Sequence, residues 1–188
     1  MGAFFSTLLS FWLGSKDYKV VMVGLDNAGK TTLLYRLSLG EVVQSTATVG
    51  SNVEMVRYKN IQMEIWDLGG QQALRPFWAT YYKQCDVVIM VVDSTDRARV
   101  QVTKSELLSL LEHEHLARTP ILVLANKQDL ADAMGVEELS GALGLHSIRN
   151  HDWHIQACCA LTGAGLNEAL AWIYARTRPG GQQGAAQA

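Results

Sequence analysis

The stretch GLDNAGKTT, residues 24–32, sets two glycines, a lysine and a threonine in the order G-x-x-x-x-G-K-T. That spacing suits a phosphate cradle. Glycines let backbone N–H groups approach phosphate oxygens closely, and a following helix N-terminus adds its partial positive charge. Lys30 would neutralise the β- and γ-phosphates, and the Thr31 hydroxyl would coordinate Mg2+. A Gly-containing turn is the bland alternative. The apolar run before the stretch and the helical LLYRLS after it supply the context a cradle needs. Asp26, Asn27, Ala28, Gly29, Lys30, Thr31 and Thr32 are therefore candidate nucleotide-binding residues.

NKQD, Asn126 to Asp129, follows the apolar run PILVLA and can read the base. A carboxylate at Asp129 accepts two hydrogen bonds from the N1–H and 2-amino group of guanine. Adenine has no such donor pair and would leave the carboxylate desolvated and unpaired, a mismatch that discriminates by orders of magnitude. Lys127 can lay its aliphatic stem over the base, and Asn126 can tie the loops together. CCALTG, 158–163, can offer a backbone N–H to guanine O6, with Ala160 the expected donor beside Cys159.

Between these lie WDLGGQ, 66–71, and TVG, 48–50. Asp67 ends a strand, where it can hold Mg2+ through water. The Gly70 N–H can bond a γ-phosphate, and Gln71 can orient an attacking water. Thr48 can reach the same Mg2+ only when the γ-phosphate is present, which would make it a sensor. Lys30 and Gln71 are the catalytic candidates; Thr31, Thr48 and Asp67 are the metal candidates.

Elements must position these residues. YKVVMVGL (18–25), DVVIMVVD (86–93) and PILVLANK (120–127) read as strands buried on both faces, and WHIQACCA (153–160) as a weaker fourth. Helical patterns fall at 29–38, about 97–112, 136–143 and 165–177. Alternating strands and helices imply an open α/β sheet with right-handed crossovers. NVEMVRYKNIQMEIWD, 52–67, reads instead as an antiparallel hairpin turning at Lys59-Asn60, with Val53, Met55, Ile61, Met63 and Ile65 at alternating positions. The expected architecture is a mixed six-stranded sheet with one antiparallel pair and helices on both faces.

Composition bounds the function. The 188 residues carry a formal net charge of −2 and are 48% hydrophobic, as expected of one soluble domain. Lys and Arg are scattered, which argues against a nucleic-acid groove. Cys85, Cys158 and Cys159 are badly placed for disulfides, and as strand neighbours the last two would face opposite ways; a reduced, cytosolic compartment fits. His113 and His115 read as helical residues facing different directions, and His146, His151 and His154 lack ligand-spaced partners. Leu170 and Trp172 read as core.

GLDNAGKTT, TVGSNVE, WDLGGQ, NKQD and CCALTG together resemble the Arf and Arf-like small GTPases over about residues 1–178. GSNVE, VVDSTDR and WHIQACCALTG look nearest to the fifth Arf-like subgroup. The resemblance implies a Ras-like fold, GDP/GTP cycling with Mg2+, and GTP-dependent recruitment of effectors to membranes in vesicle traffic, with a Golgi address. It also implies an exchange factor, and a monomer in solution. Trp66 and Tyr81 match the family's effector anchors. Ala47 and Ser51 depart from the family's Pro and Phe, which loosens switch I and weakens the match to the effectors of Arf proteins proper. Pro76 should confine helix in switch II to residues after it. Asp26 replaces a glycine of Ras-type loops, so its carboxylate is placed to act on Gln71 or on a partner's arginine.

MGAFFS fits M-G-x-x-x-[ST], which makes Gly2 a myristoylation candidate. Phe4, Phe5, Leu8, Leu9, Phe11 and Trp12 then form a broad apolar face opposite Ser6, Thr7 and Ser10. One acyl chain binds membranes only marginally, so this helix would be the second attachment signal. The expected division is an amphipathic helix at 1–16, a GTPase domain at 17–178 and a disordered tail at 179–188. In the Arf family the hairpin slides when GTP binds and expels the N-terminal helix. Period-two alternation predicts that the slide is of even register.

Residues 40–56 contain no arginine, so intrinsic hydrolysis is expected to be slow and an activating protein to supply one. Two rivals differ in class. A P-loop small-molecule kinase would leave NKQD without a role. A nucleotide-gated adaptor with negligible hydrolysis would leave Gln71 without one.

Overall fold

The computed structural model describes residues 17–40, 42 and 48–177. Six strands form one sheet in the order β2-β3-β1-β4-β5-β6. They are β1 (Asp17–Val23), β2 (Ser51–Tyr58), β3 (Ile61–Leu68), β4 (Val87–Asp93), β5 (Ile121–Asn126) and β6 (Trp153–Ala157). Only β2 and β3 pair antiparallel; the other four ladders are parallel. The helices are α1 (Lys30–Leu39), α2 (Val100–Leu111), α3 (Val136–Leu143) and α4 (Leu166–Thr177), with a 3-10 helix at Arg75–Tyr81.

The two-sided apolar strands explain the layers. Along β4, Val87, Ile89 and Val91 enter one core with Leu33 and Leu34 of α1 and Leu166, Leu170 and Ile173 of α4. The intervening Val88, Met90 and Val92 enter the other, with Leu107 and Leu110 of α2 and Leu139 and Leu143 of α3. Successive side chains point to opposite faces, so one strand feeds two cores and helices must cover both. Removing such side chains from water, at about 1.5–3 kcal/mol each, is what holds the sandwich together.

Some boundaries differ from the sequence expectation, each for a physical reason. β1 stops at Val23 because Gly24 takes φ +146°, where strand pairing ends. β6 stops at Ala157 rather than 160: the Cys158 N–H makes the last bond to β5, at the Ala125 carbonyl, and the Cys159 N–H turns away to the Ala164 carbonyl. Cys158 and Cys159 thus lie beyond the strand; both are buried and free, as is Cys85. In the hairpin, Ile61, Met63 and Ile65 are buried as expected, but Val53 and Met55 are not their companions. The two-residue turn sets Val56 opposite Met63 and Val53 opposite Trp66, and Met55 is 43% exposed opposite Glu64. Opposed residues share a face, so Val53 and Met55 lie on the other side of the hairpin from the buried trio.

Pro76 is the second residue of the 3-10 helix, so that turn begins two residues earlier than expected. His113 and His115 do not lie on α2, which ends at Leu111; His113 caps a 3-10 turn at Glu114–Leu116 and His115 lies within it, with ring centroids 5.4 Å apart. His113 also sets its ring against Tyr82 at 5.0 Å. No group of three or more potential metal-binding His, Cys, Asp or Glu residues occurs among the described residues. Leu170 is core, while Trp172 is half-buried between His154 and the Arg176 guanidinium. No helix among the described residues is long and apolar enough to cross a membrane. Gly2, the 1–16 segment, Ala47 and the 179–188 tail lie outside the described residues.

Candidate functional site

The loop 24–29 leaves β1 at the carboxyl end of the sheet, where open α/β sheets place their ligands. Its glycines are dictated by contact. A Cβ on Gly24 would sit 2.2 Å from the Val91 carbonyl oxygen, and one on Gly29 would sit 2.4 Å from Asn126 Nδ2. Asn27 also takes the left-handed conformation, φ 64°, so the backbone curls into a concave nest. Lys30 is buried at the foot of α1 and donates to the Leu25 carbonyl at 3.1 Å. Burial pulls its pKa down; the carboxylates of Asp67 and Asp26 oppose that.

Three oxygen-bearing side chains meet beside this loop. Thr31 Oγ1 donates to Asp67 Oδ2 at 2.5 Å, and Thr48 Oγ1 lies 2.9 Å from Thr31 Oγ1 and 3.4 Å from Asp67 Oδ2. Asp67 is fully buried at the end of β3, and its Oδ1 has no hydrogen-bond partner among the described residues. Burial raises its pKa, against the Thr31, Lys30 and Thr48 contacts. A buried carboxylate with two hydroxyls on one oxygen and no partner on the other matches the hard-oxygen donor set of Mg2+. The residues present fit the ion.

Gly70 lies flat on the phosphate loop. Its carbonyl accepts the Asp26 N–H at 3.2 Å, and a Cβ there would be 2.4 Å from the Gly24 oxygen. Gln71 follows with an exposed side chain, and its carbonyl starts the next turn by accepting from Leu74 N. Asp26 departs from expectation: its carboxylate is held by this chain's own Arg99 and Arg75, at 3.0 and 3.6 Å.

The other end of the site hangs on Asn126. This buried side chain donates from Nδ2 to the Ala28 carbonyl at 2.8 Å and accepts the Ala160 N–H on Oδ1 at 3.0 Å. One amide thus joins the phosphate loop, β5 and the turn after β6. It also engages the N–H expected to serve the base, so a base carbonyl at Ala160 would compete with Asn126. Asp129 is exposed. Lys127 takes φ 67° and reaches Asp93 Oδ2 at 2.6 Å.

Sequence reasoning missed Asp93. Burial alone would raise its pKa, but the Lys127 ammonium and two Thr95 donors outweigh that and hold it below the usual carboxylate range. The sequence marks it only as the polar end of a buried strand; its place directly opposite Asn126 is set by the pairing of β4 with β5. Trp66 and Tyr81 do come together, ring centroids 5.4 Å apart, and Tyr81 Oη lies 3.3 Å from Ser51 Oγ. Val49 and Phe77 are exposed at 86% and 61%.

The site therefore gathers Asp26–Thr32, Thr48, Asp67 and Gly70 at one end and Asn126–Asp129 with Cys159 and Ala160 at the other. The ADP-ribosylation factor family is matched over residues 4–177. The chain belongs to this family. ADP-ribosylation factor-like protein 5 of Dictyostelium discoideum is 55% identical over 176 residues, covering 92% of this chain and 96% of that protein. ADP-ribosylation factor-like protein 5A of Mus musculus is 50% identical over 178 residues, covering 95% and 99%. Among solved structures, the Arl6 BBS3 small GTPase of Trypanosoma brucei, with bound nucleotide analogue GppNp, superposes with a TM-score of 0.78. It is 38% identical, covering 84% of this chain and 95% of that one. The fold is that of a Ras-like small GTPase, and Arf-family small GTPases are GTP hydrolases that bind guanine nucleotide. A small-molecule kinase is set aside.

Proposed function

We propose that this protein is a GTP-operated switch of the fifth Arf-like subgroup, hydrolysing GTP slowly and recruiting effectors to membranes in vesicle traffic while GTP is bound. The observation that carries the reading is the meeting of Thr31 and Thr48 at Asp67 Oδ2, next to an unpartnered Oδ1 on the same buried carboxylate. Thr48 belongs to a different segment from Thr31, so ligand chemistry at that point couples the loop before β2 to the phosphate loop.

In the proposed chemistry Asn27, Ala28, Gly29, Thr31 and Thr32 cradle the phosphates through backbone N–H groups. Lys30 leaves the Leu25 carbonyl for the β- and γ-phosphate oxygens and offsets the charge that develops there. Thr31, Thr48 and Asp67 would hold Mg2+, which supplies charge neutralisation when bound. Gly70 donates its N–H to the γ-phosphate, and Gln71 places the water for in-line attack. Asp129 reads the guanine edge, Lys127 covers the base face, and the Cys159–Ala160 turn meets O6. An activating protein supplies the arginine that residues 40–56 lack, and an exchange factor opens the site for GDP release. The protein works as a monomer.

Membrane attachment is assigned to a myristoylated Gly2 and the apolar face of residues 4–12, at the Golgi; Trp66 and Tyr81 anchor the effector. Liposome co-sedimentation of myristoylated protein tests this. Binding with a non-hydrolysable GTP analogue and release with GDP is the expected result; equal binding in both states refutes the gated attachment. Single-turnover hydrolysis decides the remaining alternative. A rate unaffected by Gln71→Leu would favour a nucleotide-gated adaptor without useful hydrolysis.

A further inference from the structure

Five charged side chains border the phosphate end: Asp26 of the phosphate loop and four others, Arg75, Arg99, Glu106 and Asp96, that have no role above. Arg75, in the 3-10 helix after Gln71, has a side chain only 11% exposed. Its Nε donates to the Gly70 carbonyl at 2.9 Å, its Nη1 lies 3.5 Å from Glu106 Oε1 and its Nη2 lies 3.6 Å from Asp26 Oδ1. Arg99 approaches Asp26 from the other side. Its Nη1 donates to Asp26 Oδ1 at 3.0 Å and its Nη2 to the Asp26 carbonyl at 3.2 Å, while its Nε is fixed by Asp96 at 2.6 Å. The relay Glu106–Arg75–Asp26–Arg99–Asp96 therefore starts on α2, crosses the segment after β3, touches the phosphate loop and returns to the foot of α2. It borders a cavity of about 440 Å3 that Gln71, Gln72 and Val102 also line.

The relay converges on one peptide. The Gly70 carbonyl accepts from Arg75 Nε and from the Asp26 N–H, so it is pinned by a side chain and by the phosphate loop at once. That carbonyl belongs to the peptide leading into Gln71. Its plane sets where the Gln71 side chain begins. The guanidinium fork is what allows Arg75 to hold Gly70, Asp26 and Glu106 together, a geometry lysine lacks.

We propose that Arg75 is a positioning residue, clamping the Gly70–Gln71 segment to the phosphate loop through Asp26, and that this clamp retains GTP selectively over GDP. The proposal rests on the switch reading above, because only there do Gly70 and Gln71 face the γ-phosphate. GDP has no phosphate at that point, so it gains nothing from a clamped Gly70. Losing the clamp frees a carbonyl that was held by a charge-assisted hydrogen bond, and the γ-phosphate then meets an unplaced N–H.

The test uses the full chain with Mg2+ and compares release of fluorescent GDP and of a fluorescent non-hydrolysable GTP analogue. Wild-type protein is first checked for binding GTP and not ATP, which tests the switch reading by itself. For Arg75→Ala the GTP analogue is expected to leave about tenfold or more faster, while GDP release stays within about twofold. Arg75→Lys keeps charge and stem but not the fork, and is expected to shift the same ratio in the same direction. Thermal melting of the GDP form reports folding; if Arg75→Ala does not fold, Arg75→Lys decides. Equal acceleration of both nucleotides would reduce Arg75 to a packing role and overturn the proposal, as would no acceleration of either.

Discussion

Replacing Asn126 by alanine probes the joint between the two halves of the site. The side chain fills two buried backbone valences, the Ala28 carbonyl at 2.8 Å and the Ala160 N–H at 3.0 Å. Alanine leaves both groups facing a small void. An unsatisfied buried polar group costs about 1–3 kcal/mol, so the pair costs about 2–6 kcal/mol where water enters poorly. For a domain of this size about 3 kcal/mol corresponds to a fall in Tm of roughly 6–12 °C. Part of that fall would come through weaker nucleotide binding, because a ligand of the folded state stabilises it by mass action. Circular-dichroism melts at two GDP concentrations, zero and well above the Kd, separate the contributions: the first reports the fold, and the gain between them reports affinity. A fall below about 2 °C at both concentrations would show that the two backbone groups find other partners, and the bridging argument would fail.

Asp93 predicts a pH window. Its folded-state pKa lies below the ordinary aspartate value, so its pairing with Lys127 contributes fully above the unfolded pKa and is lost as pH falls through the folded one. The stability gap between wild type and Asp93→Asn, from denaturant melts, should hold steady from about pH 7 to 5 and close only below about pH 4; closure already between 7 and 5 would contradict the pairing. Two glycines predict opposite signs. Gly165→Ala puts a Cβ 2.0 Å from the Ala157 carbonyl at φ +76° and should cost about 3 kcal/mol or more, whereas a Cβ on Gly141, inside α3, meets nothing within 4 Å and should add about 0.5–1 kcal/mol. Urea melts of both variants check the pair. Thr48→Ala removes the hydroxyl 2.9 Å from Thr31 Oγ1, so retention of a GTP analogue in Mg2+ should drop about tenfold while GDP retention hardly changes; an equal drop for both would deny Thr48 a sensing role.

The layered α/β sheet was legible because its strands are apolar on both sides, and an uninterrupted apolar run such as VVIMVVD leaves few other places to go. The phosphate and base loops were legible as spaced types, Gly24, Gly29, Lys30 and Asn126 to Asp129. Pair geometry was not. Nothing in the string says that Asp26 meets Arg99, 73 residues away, or that Lys127 meets Asp93, since those contacts are made by the parallel order of the strands. The hairpin shows a subtler limit. Alternation located both strands, but which side of β2 goes inward depends on the turn's register, and Val53 and Met55 fell on the outward side for that reason alone. Ala160 is a case of competition: an N–H free in the sequence reading is engaged by a buried amide once β5 and β6 lie side by side.

The order β2-β3-β1-β4-β5-β6 has a consequence for synthesis. A ribosome releases the chain from its N-terminus, so β1 through β4, with the phosphate loop, Thr48, Asp67 and Gly70, are out once residues up to Asp93 have emerged. Asn126 comes later, and its second partner, Ala160, last of all. The residues that make the nest thus emerge well before those that close the joint on Asn126. The core beneath the nest waits as well, because Leu166, Leu170 and Ile173 of α4 pack under β1 and β4. A domain whose first loop depends on its last helix can fold only once nearly all of it is free of the ribosome.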